Sequence, residues 1–348
     1  MPAVSVEQLV RDSRGSLLRG DPATVVTSFD IDTRRLAAGG GFFALKGSRT
    51  DGHKFLGEAA ARGAAAAFVE SDPGAAAAAP PALILVDDTV KALGLCGEQA
   101  RKRNSGTKWI AITGSNGKTT TKEMVAEGLS AALRVHRTPG TFNNHLGVPL
   151  TLLSLPEDVE IAVLEMGMNG PGEIAGLTRM TRPDIGLVTN VRAVHMAYFE
   201  SLDDLAAAKG ELYAMMSDDS TAVVNLDDVH TRVQAARHVG PRVTYGQHPS
   251  ADLRLERIDN RLTPGAALSF RHRGESIRVQ LRMAGSHSAI NALAALATIV
   301  AAGGDVGEAI GRIEQLEAGP GRGKIHRTDR GMTVVDESYN NSPPALAS

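Results

Sequence analysis

Between residues 113 and 123 the chain reads TGSNGKTTTKE. Gly114, Ser115, Asn116 and Gly117 form a turn after the apolar run WIAI, and Lys118, Thr119 and Thr120 stand where a helix should begin. Such a turn offers bare backbone N–H groups, the positive end of a helix and one side-chain cation, all suited to phosphate. In a loop of this kind Lys118 is expected on the β- and γ-phosphates, the Thr119 hydroxyl on magnesium, and Thr120 on a nearby phosphate oxygen. The spacing departs from the general G-x-x-x-x-G-K-[ST] pattern, because Ile112 takes the place of its first glycine. The competing reading is a Gly-rich turn that binds nothing, and it makes the adjacent Lys-Thr-Thr a coincidence.

Two further positions carry chemistry on their own terms. Glu165 ends the apolar run IAVLE, and the carboxyl end of a parallel strand is where α/β folds place ligands. A carboxylate there can hold magnesium beside phosphates, or simply close the strand. Lys209 lies in LDDLAAAKGELYAMM, where helical spacing sets Leu202, Leu205, Leu212 and Met216 on one stripe with the lysine inside it. A lysine so placed either snorkels to water or is held neutral by desolvation. A neutral amine can take up CO2 to become a carbamate, an anion.

These residues need a frame to hold them. Short apolar runs (FFAL, AAFV, LILV, WIAI, IAVLEM, IGLVTN, TAVVN) alternate with longer amphipathic or Ala-rich stretches, the pattern of a mostly parallel α/β sheet. AAAAAPP, residues 75–81, reads as a surface loop, and KRNSGTK, residues 102–108, as a linker. Partial alternation between residues 251 and 283 predicts antiparallel strands appended to the second sheet. The boundaries that follow are 1–106 for a first domain, 107–322 for a central one and 323–348 for the start of a third, in which MTVVD opens a strand.

Composition narrows the class. A chain of 348 residues, 22% charged and 43% hydrophobic, has core enough for two or three domains. A formal net charge of −2 argues against a nucleic-acid partner, and a single cysteine, Cys96, excludes an internal disulfide framework. No leader and no membrane span is read in the sequence, so a cytoplasmic monomer is expected.

The loop G-S-N-G-K-T-T resembles the ATP loop of the Mur ligases, which build the peptidoglycan peptide. TPGTFNNHLGVPLTLL (138–153), LEMGMNGPGEI (164–174), TRPDIGLVTN (181–190), AAKGELY (207–213) and SHSAINALAA (286–295) look like successive blocks of that family's central domain. DTRRLAAGGGFFALKGSRTDGH (32–53) is similar to its uridine-nucleotide domain, and VVDESYNNSPPAL to the start of a Rossmann-like third domain in the branch that adds D-alanyl-D-alanine. The resemblance implies ATP, two magnesium ions and a carbamylated Lys209. Glu165, His195, Lys209 and Thr119 would hold the metal, although Arg192, Ala197 and Glu200 depart from the family's usual stretch around His195. Asn291 would pair with adenine, or else pack inside its helix. His287 is secondary, because Ser288 stands where asparagine is usual. Arg322, on sequence alone one charge in a glycine-rich turn, would contact the phosphates, and Asp336 or Glu337 the ribose. Asp32, Thr33 and Arg34 would bind uridine diphosphate with Lys46 to His53 closing over it. Asn143 and Asn144 would orient the muramyl group, or cap a turn.

The implied reaction is ATP-dependent amide formation between a UDP-N-acetylmuramoyl tripeptide and D-alanyl-D-alanine through an acyl phosphate. Rival readings are a ligase adding the third residue, a folylpolyglutamate synthase, and a catalytically silent nucleotide-binding paralogue. Because only about 25 residues follow Arg322, the third domain is expected to be cut short.

Overall fold

The computed structural model describes residues 3–48, 50–74, 78–194, 198–260, 265–327, 332–336, 338 and 339. The chain forms two compact units, one of residues 1–107 with 142–159 and one of residues 108–141 with 160–348.

The first unit is built on a five-stranded sheet in the order β2-β7-β6-β5-β4. Its strands are β2 (Ser16–Arg19), β4 (Ser28–Asp30), β5 (Gly40–Phe43), β6 (Ala66–Val69) and β7 (Ala82–Leu85), all parallel except the antiparallel β2–β7 pair. A short β1 (Val4–Ser5) pairs with β3 (Val25–Val26) beside α1 (Val6–Ser13). β5 and β6 are buried on both faces, as their unbroken apolar runs require of central parallel strands. Phe43 and Phe68 stack between them at 4.0 Å. The helices are α2 (Leu56–Ala61) and α3 (Thr89–Arg103), the latter capped by Asp88 and closed by Arg101, Lys102 and Arg103 against its dipole.

Residues 142–159, which the sequence reading places in the central domain, pack with this first unit. The cause is the helix α5 (Gly147–Leu153), whose seven residues are all buried. It lies so close to α3 that a Cβ on Gly97 would stand 2.7 Å from that of Pro149. The expected linker at 102–108 is also shorter than read, because α3 runs through Arg103 and the next strand starts at Lys108.

The second unit holds a nine-stranded sheet in the order β16-β15-β14-β13-β12-β11-β8-β10-β9. The chain enters at β8 (Lys108–Thr113), continues through α4 (Lys118–Leu129) to β9 (Val135–Arg137), and returns as β10 (Ile161–Glu165) beside β8. After α6 (Glu173–Thr181) it crosses to the other side of β8 as β11 (Ile185–Val188), then passes through α7 (Leu202–Met215) to β12 (Thr221–Asn225). α8 (Val229–Ala235) leads to β13 (Arg242–Gly246), and β14 (Leu253–Asp259), β15 (Ala267–His272) and β16 (Glu275–Gln280) finish the sheet. The pairs β14–β15 and β15–β16 are the antiparallel appendage expected from their alternation. α9 (Ser286–Ala302), Ala-rich and largely buried, packs on α4 with α10 (Val306–Ile313) alongside. β17 (Lys324–Arg327) and β18 (Thr333–Asp336) pair as an antiparallel ribbon.

The strand order reverses at β8, which lies between β10 and β11, so the crevice at its carboxyl end is the topological switch point. Register makes the consequence specific. Glu165 at the end of β10 is level with Ile112, and Val188 at the end of β11 is level with Thr113. Three strand ends therefore deliver Gly114, Glu165 and Thr189 side by side. No helix among the described residues is long and apolar enough to cross a membrane.

Candidate functional site

The loop leaving β8 is shaped by two glycines that no other residue replaces without a clash. Gly114 (φ +142°) lies where a Cβ would overlap the Thr189 hydroxyl, and Gly117 (φ +82°) where a Cβ would overlap the Asn291 carboxamide. Asn291 therefore sits directly against the loop from α9.

The two halves of the loop do different work. The Ser115 and Asn116 N–H groups donate to the carbonyl and side chain of Asn190, at 2.9 and 3.1 Å. Ser115 Oγ donates to the Arg192 carbonyl and accepts the Arg192 N–H, and the Asn116 carbonyl accepts from Thr189 Oγ1 at 2.7 Å. Arg192 is held in turn by Asp228, 2.6 Å away and buried. Ser115 and Asn116 thus fasten the loop to the segment after β11, whereas the second half leads into the helix. There Gly117 caps α4, and the first N–H groups of a helix have no partner within it. Arg192, a departure from the usual family stretch, is part of the fastening.

Cations converge on the loop as a whole. Lys118 Nζ donates to the carbonyls of Gly114 and Ser115 at 2.9 and 3.0 Å. Lys209, only 4% exposed, donates to the same Gly114 carbonyl at 3.2 Å. That burial removes the snorkelling alternative. Burial, and then the charge of Lys118, bring the Lys209 amine down to about 7. Burial also lowers the Lys118 amine; Glu165 opposes the shift and Arg322 adds to it. Arg322 thus adds its charge to this corner, its guanidinium stacked 3.9 Å over the Tyr339 ring. Thr119 and Thr120 stand in the first turn of α4, partly exposed.

Glu165 is 1% exposed, and its N–H donates to Thr138 Oγ1 at 3.0 Å. Asp336 turns its carboxylate to the N–H groups of Gly321 and Ser338, both at 3.1 Å, and the bonds from Ser338 hold its carboxyl below the usual range. His195 and Glu337 lie outside the described residues. Sequence reasoning missed Lys122, fully buried one helical turn beyond Lys118. The stripe argument applied to Lys209 would have found it, since Thr121, Met124, Val125 and Ala126 around it are buried too.

The uridine candidates belong to the first unit. Asp32 caps the turn Thr33–Arg35, and Arg34 forks onto it at 2.6 Å, holding its carboxyl at about 2. Thr33 is buried. The backbones of Lys46 and Asp51 pair in an isolated antiparallel bridge, the Asp51 carboxylate meets His53 Nδ1 at 2.7 Å, and His53 Nε2 accepts the Glu70 N–H. Asn144 accepts the N–H groups of Leu146 and Gly147 and so caps the approach to α5, the capping role left open beside substrate binding; Asn143 precedes it.

Comparison with known proteins settles the family. The Mur ligase middle domain matches residues 112–299, and the Mur ligase family catalytic domain matches residues 25–101. The chain belongs to the Mur ligase family. The UDP-N-acetylmuramoyl-tripeptide–D-alanyl-D-alanine ligase of Bacillus subtilis (strain 168) is 36% identical over 323 residues, which are 93% of this chain and 69% of that one. A solved structure of MurF from Acinetobacter baumannii superposes with a TM-score of 0.91 at 31% identity, covering all of this chain and 75% of that one. MurF ligase from Thermotoga maritima in complex with ADP gives 0.82 at 29% identity, covering 92% and 73%.

The Mur ligase loop of this chain fits a nucleoside triphosphate on its own geometry: two glycines pressed by neighbours, a helix start, and Lys118, Lys209 and Arg322 gathered around it. Among the described residues no group of three or more His, Cys, Asp or Glu could hold a metal ion. A magnesium ion held by one or two protein groups and otherwise by phosphate and water is compatible with that, because this ion takes few protein ligands.

Proposed function

We propose that this Mur ligase joins D-alanyl-D-alanine to UDP-N-acetylmuramoyl tripeptide at the expense of ATP, in peptidoglycan precursor synthesis. The observation that carries the reading is the cluster of Lys118, Lys209 and Arg322 at the switch-point loop, which is suited to a polyphosphate and lies in a chain of which 93% aligns with 69% of a ligase of that name.

A carboxylate is too poor an acyl donor to react directly with an amine. The tripeptide's terminal carboxylate attacks the γ-phosphate to give an acyl phosphate and ADP, and the dipeptide amine then displaces phosphate to form the amide. In this scheme Lys118 and the N–H groups at the start of α4 stabilise charge on the transferring phosphoryl group. Arg322 approaches the same phosphates, and Asn291 presents its amide to adenine. Thr119, Glu165 and His195 would hold a magnesium ion, which would supply charge neutralisation for the phosphates. Lys209 suits carbamate formation, since its neutral amine adds CO2 and releases one proton to become an anion beside Lys118; as a carbamate it would help hold a second magnesium ion. Asp32, Thr33, Arg34 and Lys46 would bind the uridine diphosphate, Asn143 and Asn144 the muramyl group, and Asp336 or Glu337 the ribose. A cytoplasmic location fits a chain whose one cysteine is buried.

The test is ADP release by the full-length protein against a panel of UDP-muramyl peptides. Release should require both the tripeptide form and D-alanyl-D-alanine. Turnover with a dipeptide acceptor and a free diamino acid would reassign the chain to third-residue addition, and nucleotide binding without turnover to a silent paralogue.

A further inference from the structure

Lys122 is fully buried, and none of the chemistry above uses it. Its ammonium has three protons and three close partners: the carbonyls of Thr138 and Gly140, at 2.7 and 2.9 Å, and the Glu123 carboxylate at 2.9 Å. Glu123 continues to Arg137 at 3.0 Å, and Arg137 to Glu127 at 2.7 Å. Thr138 is the other half of the arrangement. Its N–H donates to the Val163 carbonyl, its hydroxyl accepts the Glu165 N–H, and its carbonyl takes Lys122. The Lys122 ammonium also lies 4.0 Å from the Glu165 carboxylate. Lys118 and Lys122 are four residues apart and so share one face of α4. One face of a single helix thus reaches the phosphate loop at one end and, through Thr138, the end of β10 at the other.

We propose that Lys122 is a positioning residue that couples the nucleotide helix to Glu165, fixing the carboxylate at the distance from the phosphates at which a magnesium ion bridges the two. This rests on the reading of Glu165 as a magnesium ligand. An ammonium is suited to the task because it satisfies two buried carbonyls and a carboxylate at once, and a neutral side chain of the same length leaves all three without it. Thr138 transmits the position through a single hydroxyl.

Titration calorimetry of ADP with and without Mg2+ tests the coupling without relying on turnover. In the parent, Mg2+ should tighten ADP binding. In Lys122→Met that tightening should fall at least fivefold, while metal-free ADP affinity stays within twofold of the parent. Thr138→Val should show a fall in the same direction, Thr138→Ser should restore parent behaviour, and the Lys122→Met/Thr138→Val double variant should be no worse than the larger single effect. An unchanged Mg2+ increment in Thr138→Val overturns the proposal even where Lys122→Met does not fold, and so does a parallel loss of metal-free affinity in both variants. A parent that binds no ADP overturns the nucleotide reading itself, upstream of Lys122.

Discussion

Lys122 on α4 and Lys209 on α7 are both buried in the second unit, yet their surroundings differ. Lys122 has two carbonyls and a carboxylate for its three protons, and its charge is balanced by Glu123. Lys209 shares the Gly114 carbonyl with Lys118, so the nearest charge is another cation. A buried charge persists only when paired; otherwise the group shifts its proton equilibrium or awaits an opposite charge from outside. The first lysine is therefore part of the frame, and the second marks where an anion belongs. Burial alone does not separate the two roles, but the acceptor set does.

The sharpest way to break this distinction is at Lys118, the cation that Lys209 faces. Lys118→Ala should reduce ligation by on the order of 10³-fold or more, since in the proposed scheme it removes a charge that stabilises the transferring phosphoryl group. UDP-muramyl tripeptide affinity, measured by calorimetry, should stay within a few-fold, because Asp32, Thr33, Arg34 and Lys46 come from the other compact unit. Turnover within a few-fold of the parent would remove Lys118 from the phosphate site.

Lys209→Ala should come next in size, with activity down about 10²-fold or more on the scale of losing one preorganised electrostatic group. If Lys209 acts as a carbamate, a small carboxylic acid such as acetate should recover part of the rate in the alanine variant and leave the parent untouched. Full activity in the alanine variant would make Lys209 a frame residue like Lys122 and erase the contrast.

How much of this was legible in the sequence follows the same division. The P-loop, Glu165 and Lys209 could be read directly, because each combines a chemical type with a local pattern: a glycine turn before a helix, a strand end, a polar residue in an apolar stripe. The central parallel strands were legible for the same reason, being unbroken apolar runs such as AAFV and IAVLE. What could not be read is set by pairing at long sequence separation. That Ser115 and Asn116 are held by Asn190 and Arg192, more than 70 residues away, has no local signal. The place of residues 142–159 depends on Gly97 admitting Pro149, a steric fit between distant segments. The burial of Lys122 was open to the stripe argument, but its partners were not, because Thr138 and Gly140 lie beyond the end of its own helix.

The smallest expected effect concerns stability, and it tests Lys209 without any substrate. Its amine titrates at about 7 in the folded chain against an ordinary 10.5. Between those values the unfolded chain holds a proton that the folded chain has lost, so this group makes the protein more stable as pH rises through the window. The slope it contributes is at most about 1.4 kcal/mol per pH unit. Lys209→Met keeps the length and the apolar contacts and deletes the titration. Urea unfolding at pH 7, 8 and 9 in CO2-depleted buffer should therefore show the parent gaining stability relative to the methionine variant at each step. Equal pH dependence in the two proteins would mean that the folded chain carries Lys209 charged. Its surroundings would then have to balance that charge as Glu123 does for Lys122, and the place for an anion beside Gly114 would be lost.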